Sequence, residues 1–413
     1  MSSASAPVKV SAPDETASDS AERIRAFVAD ACIPREREVQ ESGAAPSDAL
    51  RLDLVAAAKA AAVYGPHLAI EYGGLALPWT ARADAFRAAG YSLLGPHALN
   101  CSAPDEGNHH LLASVATEAQ QEEFLAPLAR YAKRSCFLMS EPDGAGADPT
   151  LLKTVARKQG AGYVISGRKW FITGAVGAEI GIIMARDGET EDASASMFLI
   201  HLPMKGVNIV REMHGMSHES PGGHCEVELD NVAVPADAVL GEPGEAFRYA
   251  QIRLAPARLT HCMRWIGGAE RAHDVAKRYA IARKAFGKEL ARHQNVSSMI
   301  ADNEIDLTTS RLMIADCARR LDAGEKARHE TSLAKVHVSE AVFRVADRCV
   351  QILGGLGVMA DTPVEMIFRA SRAFRIYDGP SETHRDAIAK RVLRATISEV
   401  MAEKGAHHAA SAY

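Results

Sequence analysis

Apolar positions in the first third of the chain recur at helical spacing, with Ile24, Phe27 and Val28 in one stretch and Phe124, Leu125 and Leu128 in another. The pattern predicts helices from Ala21 to about Arg134, with Pro127 breaking or kinking the second stretch. From about 136 to 240 the rhythm shortens. Gly162-Tyr-Val-Ile-Ser, Ile180-Gly-Ile-Ile-Met, Ser196-Met-Phe-Leu-Ile, Val207-Asn-Ile-Val and the run from Glu226 to Pro235 alternate or are β-branched, with turn residues between them. Strands at such intervals suit a small antiparallel barrel or sandwich. After Gly244 long helical stripes return. Ile300, Leu307, Ile314 and Leu321 are spaced by seven up to Ala323-Gly324, and Val338, Val342, Val345, Cys349 and Ile352 follow a buried seam. A helical bundle is the plain inference.

These textures divide the 413 residues into a disordered tail (1–20), a helical domain (21–135), a middle β domain (136–243), a C-terminal four-helix bundle (244–398) and a second tail (399–413). The fold class is α+β. Composition is that of an ordinary globular protein, 47% hydrophobic and 24% charged. A net charge of −5 leaves no basic excess to neutralise phosphates, so nucleic-acid binding is not expected. No run of eighteen apolar residues is present, so no membrane span is expected either. The Ser/Ala/Pro/Asp-rich start has neither a basic n-region nor an apolar core. Seven scattered cysteines without a CxxC suit a reducing cytoplasm.

Five stretches carry candidate chemistry. In Phe137-Leu-Met-Ser140-Glu-Pro-Asp-Gly-Ala-Gly-Ala-Asp148, small residues let backbone N–H groups approach a ligand and Ser140 adds a hydroxyl; a Gly-rich turn reads equally from local features. Gly167-Arg-Lys-Trp170-Phe171-Ile-Thr173 places two aromatics beside a hydroxyl, or simply packs a strand into a core. Arg283-Lys-Ala-Phe286-Gly287 with His293-Gln294 offers a guanidinium suited to a pyrophosphate, or a solvated interhelical loop. Ala257-Arg258-Leu-Thr-His261-Cys-Met-Arg264 is a basic helical run. Finally, Gln351-Ile-Leu-Gly-Gly-Leu-Gly357 leads through Pro363-Val-Glu365 and Arg369 to Arg375-Ile-Tyr-Asp378-Gly-Pro-Ser-Glu, one acid beside a tight turn.

Other patterns fail for lack of context. Gly355-Leu-Gly357-Val-Met-Ala360 follows a helix rather than a strand, so it does not suit a dinucleotide site. His214 and His218 lack the helical setting of a metal pair, no metal site is expected, and no GxSxG elbow exists.

Taken together, the five stretches resemble the acyl-CoA dehydrogenase family over roughly residues 20–395. The subgroup resembled has an Asp-Gly-Pro turn, as in kinase-fused members and their stand-alone bacterial relatives. The resemblance implies FAD as cofactor, an acyl-CoA substrate and an electron-transfer flavoprotein as electron acceptor. A homotetramer or homodimer is implied as well. It implies Asp378 as catalytic base where the family commonly has glutamate, with Arg258 and Gly379 near the substrate. Ala257 holds the place from which some members supply the base instead. Ser140, Phe171 and Thr173 would contact the flavin, Phe171 covering its ring while Trp170, displaced by one, faces the other way. Arg283, Phe286, His293 and Gln294 would reach a neighbouring subunit's FAD, with Gln351, Gly354, Gly355, Pro380, Ser381 and Glu382 also at the cofactor. Burial against flavin and acyl chain is expected to raise the Asp378 pKa above its ordinary ~3.9. A flavin oxidase of the same fold is the alternative.

Overall fold

The computed structural model describes residues 15–190, 193–216 and 220–410. Helices fill the N-terminal third: α1 (Glu15–Phe27), α2 (Glu36–Ser42), α3 (Asp48–Ala60), α4 (Trp79–Ala89), α5 (Gly95–Ala98), α6 (Asp105–Val115), α7 (Glu118–Gln120) and α8 (Ala126–Ala129). Their starts are set locally. Ser47 accepts the Leu50 N–H ahead of α3, and Thr117 forms a reciprocal cap with Gln120 ahead of α7. Pro127 falls in the first turn of α8 after a widened turn over Gln121–Leu125, so the helix is interrupted where expected.

The middle region is one sheet of β1 (Ser135–Leu138), β2 (Val155–Gln159), β3 (Gly162–Thr173), β4 (Ile180–Arg186), β5 (Ala195–His201), β6 (Val207–Glu212) and β7 (His224–Pro235). The order is β1-β4-β2-β3-β7-β6, with β5 also on β4. The sheet is mixed rather than wholly antiparallel, because β1 runs parallel to β4 and a single parallel bridge joins Val155 to Arg186. Both faces of β4 are covered. Ile180, Ile182 and Met184 join the core shared with the helices, whereas Ile183 and Ala185 face a second core with Ile165, Ile172 and Phe198. That explains its unbroken apolar run.

The C-terminal part holds α9 (Ala246–Ala282), the hairpin β8 (Lys284–Ala285) and β9 (Lys288–Glu289), α10 (Gln294–Asp322), α11 (Arg328–Leu353), α12 (Pro363–Phe374) and α13 (Ser381–Ala410). Helices α9, α10 and α11 pack on one another, and α11 also carries α12 and α13. The two expected tails overlap helices: α1 starts at Glu15 and α13 runs to Ala410, while residues 1–14 and 411–413 lie outside the described residues. The turn between α12 and α13 faces the middle of α9, and this juxtaposition sets the site.

Candidate active site

A cleft of about 1210 Å³ opens where the sheet, α9 and the α12–α13 turn meet. Pockets for one drug-sized ligand run about 300–1,000 Å³. This volume suits a cofactor and a substrate together. Ser140, Trp170, Phe171 and Thr173 line it from the sheet, Arg258 and His261 from α9, and Asp378, Gly379 and Pro380 from the turn.

The turn is fixed through its carbonyls. Arg258 Nε donates to the Asp378 carbonyl at 2.9 Å, His384 Nε2 to the same oxygen at 3.2 Å, and Lys335 Nζ to the Gly379 carbonyl at 2.7 Å. His384 Nδ1 lies 3.2 Å from the Ser332 hydroxyl, which leaves Nε2 to carry the ring hydrogen. Burial pushes His384 down to about 4 and Lys335 down to about 8. Asp378 and Gly379 both have left-handed backbones, φ 54° and 98°. A Cβ on Gly379 would stand 2.8 Å from His384 Nε2, so the residue after the acid must be glycine.

Three acids reach the cleft wall among the described residues: Glu106, Glu141 and Asp378. Glu141 is held by Lys169 at 2.8 Å and by the backbone N–H groups of Lys153 and Thr154. Glu106 accepts from Thr260 at 3.0 Å and lies 3.9 Å from Arg264. Asp378 keeps an unpaired oxygen. Its Oδ2 is buried, with His261 Nε2 3.2 Å away but not aligned for a hydrogen bond, and the side chain as a whole is 17% exposed. Burial alone would push this carboxyl up. His261, Arg253 and Arg258 outweigh that and hold it well below the usual carboxylate range. In the chain alone the carboxyl is thus held down rather than raised, because His261 and the arginines of α9 converge on the turn, whereas the expected rise concerns the site filled by flavin and acyl chain.

On the sheet side, Lys169 pairs with Val227 and Ile172 with Cys225, so Trp170 and Phe171 together oppose Glu226 alone. This bulge changes the facing. Lys169 and Ile172, three apart, both point inward, at 0% and 1% exposure. Trp170 and Phe171 both line the cleft, their ring centres 4.3 Å apart. Trp170 does not face the other way. Phe171 takes φ 54° and is 54% exposed. Thr173 Oγ1 lies 3.0 Å from His224 Nδ1, and the Trp170 N–H donates to the Ser140 carbonyl at 3.0 Å.

The remaining expected residues do not line this cleft within one chain. Arg283 and Phe286 sit at the β8–β9 hairpin, where Phe286 is 96% exposed. His293 Nε2 reaches the Ala285 carbonyl at 3.0 Å, and Gln294 opens α10. Gln351, Gly354 and Gly355 are exposed where α11 ends; Ser381, buried, and Glu382, exposed, open α13. His218 lies outside the described residues. Sequence reading did not single out His261, Lys335 or His384. The spacing Arg258-x-x-His261-x-x-Arg264, which sets three such groups along one helical face, is the signal that was available for His261.

Models of the acyl-CoA dehydrogenase N-terminal, middle and C-terminal domains match residues 14–132, 136–232 and 244–393. "Probable acyl-CoA dehydrogenase FadE2" of Mycobacterium tuberculosis is 38% identical over 311 residues, covering 74% of this chain and 76% of its own. Acyl-CoA dehydrogenase family member 11 of Gallus gallus is 38% identical over 314 residues, 73% of this chain but 40% of that protein's length. A solved acyl-CoA dehydrogenase homologue from Mycobacterium abscessus superposes with a TM-score of 0.86 at 33% identity, covering 93% of this chain and all of the other.

Proposed function

The chain belongs to the acyl-CoA dehydrogenase family, and from that premise we propose that it converts an acyl-CoA thioester to the trans-2-enoyl-CoA with Asp378 as the base. The observation that carries the base is that Asp378, at the cleft wall, has a carboxylate oxygen with no hydrogen-bond partner, whereas Glu141 is held by Lys169 and two backbone N–H groups and Glu106 by Thr260. Ala257, opposite it on α9, cannot accept a proton. The Asp378 carboxylate takes the α-proton. Its backbone N–H, in a turn whose carbonyls are tied down by Arg258, His384 and Lys335, is a fixed donor for the thioester oxygen as enolate charge develops.

The family is FAD-dependent, and the donor set fits that group: hydroxyls at Ser140 and Thr173 beside two aromatic faces at Trp170 and Phe171. When bound, FAD supplies the acceptor for the β-hydride. Arg283, Phe286, His293, Gln294, Gln351 and the Gly354–Gly355 pair, lying outside the cleft of their own chain, would serve the cofactor of a neighbouring copy in a dimer or tetramer. Reduced enzyme would pass electrons to an electron-transfer flavoprotein.

The Asp-Gly-Pro turn and the Arg258–Arg264 run, with the match to family member 11, support the subgroup that contains kinase-fused members and stand-alone bacterial relatives. All seven cysteines are buried and free, which supports a reducing compartment such as the cytoplasm. Among the described residues no helix is long and apolar enough to cross a membrane.

Anaerobic mixing of the yellow holoenzyme with a panel of saturated acyl-CoAs tests the reading. At least one is expected to bleach the flavin, and the reduced, product-bound enzyme should react slowly with oxygen. A flavin that no acyl-CoA bleaches contradicts the reading; fast reoxidation with peroxide release converts it to an oxidase.

A further inference from the structure

His261 lies deep in the α9 wall, 9% exposed, with its ring against Tyr377 and Phe374 at 4.8 and 6.0 Å. Arg264 Nη2 stands 2.9 Å from His261 Nδ1. A guanidinium only donates, so Nδ1 accepts and carries no hydrogen. A neutral ring must then carry its hydrogen on Nε2, the atom 3.2 Å from Asp378 Oδ2. Arg264 is itself anchored, donating through Nη1 to the Cys101 carbonyl at 2.7 Å. Oδ2 is buried and makes no aligned hydrogen bond, and His261 Nε2 is the side-chain nitrogen that stands against it, 3.2 Å away.

We propose that His261 is a positioning residue for the base: Arg264 fixes its Nε2–H tautomer, and that N–H, 3.2 Å from Oδ2 and brought into line by a small turn of the carboxylate, steers Oδ2 so that Oδ1 meets the substrate. The inference rests on the reading of Asp378 as base. The ring does not relay the proton. As the α-C–H bond breaks, its electron pair stays with the carbon skeleton and an O–H bond forms on Asp378. Nε2 already holds a hydrogen and Nδ1 is taken by Arg264, so the proton remains on the carboxyl. Arg253, Arg258 and Arg264 of α9, Glu106 of α6, Lys335 of α11 and His384 of α13 all face this pair. Burial and the Arg264 charge hold His261 below its ordinary value, which keeps the ring neutral near pH 7.

Loss of the N–H has two opposed effects. Asp378 becomes a stronger base, by about tenfold in its proton equilibrium for each pKa unit gained. It also loses its anchor, and a misplacement near 1 Å costs about a hundredfold in rate. Position outweighs basicity, so the variant should be slower.

The test is anaerobic stopped-flow reduction of holoenzyme across pH, with the acyl-CoA that bleaches wild type fastest, for wild type, His261→Ala, His261→Gln and Asp378→Asn. His261→Ala should lose about tenfold or more at the plateau, the balance of those two effects. Its acid limb should move up into a pH range where wild type is still flat, because a lowering partner is gone. His261→Gln, whose amide N–H can donate in the same place, should recover most of both. Histidine-labelled ¹⁵N spectra should show, besides His384, a ring protonated at Nε2 with a hydrogen-bonded Nδ1 whose signal is absent from His261→Gln. An unmoved limb in His261→Ala beside an inactive Asp378→Asn overturns the positioning role alone, whereas an active Asp378→Asn overturns the base itself. If His261→Ala does not fold, a wild-type His261 protonated at Nδ1 still overturns the proposal.

Discussion

At Asp378 the requirements of a base and of a folded turn pull in opposite directions. A base for a thioester α-proton benefits from a raised pKa, yet the groups that hold this turn are cations and N–H donors that lower it. The acid itself was legible because its signal is local: one carboxylate, a glycine and a proline in five residues of turn. Its electrostatics were not, because Arg258 is 120 residues away in sequence and only the α9 packing brings it to the Asp378 carbonyl. Asp378→Glu adds one C–C bond, ~1.5 Å, to a side chain whose partner His261 stays in place. It should therefore not speed flavin reduction with the enzyme's own substrate; a faster variant would show that His261 and the turn are not matched to aspartate. The same scale decides Phe171 against Trp170. Phe171→Ala should shift the flavin spectrum with the fold intact, and Trp170→Phe should also shift it, since both rings line the cleft. A spectrum that ignores Trp170 would place that ring away from the cofactor.

Among the elements, the long helices were read well because their signal is periodic and short-range. Leu307 and Ile314 of α10, and Val338, Val342, Val345, Cys349 and Ile352 of α11, are all buried as their spacing implied. The parallel pairing of β1 with β4 and the bulge in β3 were not legible, since each depends on a partner strand more than forty residues distant. The bulge is held from below by the Lys169–Glu141 pair, whose Nζ also reaches the Met184 carbonyl at 2.7 Å. Lys169→Met would leave Glu141 buried without its cation and should lower stability by about 3–5 kcal/mol. Urea unfolding followed by tryptophan fluorescence reads the loss, and adding Glu141→Leu should restore much of it. A single variant as stable as wild type would mean that water reaches Glu141. In the β8–β9 hairpin, Arg283→Ala is expected to lower the flavin-to-protein ratio and weaken the oligomer together. An unchanged ratio would remove the hairpin from the cofactor site.

Taken whole, the N-terminal and C-terminal helices pack on one another in a shared core with the sheet against them, and the cleft lies where they meet rather than inside any one of them. Helix, then strands, then helix was readable along the chain, but the convergence of Ser140, Phe171, Arg258 and Asp378 on one cavity belongs to the assembled fold. The residues of the hairpin and of the α11 terminus stay outside that cavity in a single chain, which is what a shared site between copies would require. Single-turnover flavin reduction by acyl-CoA, comparing wild-type holoenzyme with Asp378→Asn at equal FAD content and with acyl-CoA binding checked separately, bears most directly on Asp378 as the base. Asp378→Asn should retain FAD and bind acyl-CoA, with the flavin remaining oxidised because the α-proton has no acceptor. Rapid bleaching of that variant by an acyl-CoA that also bleaches wild type would show that another group takes the proton.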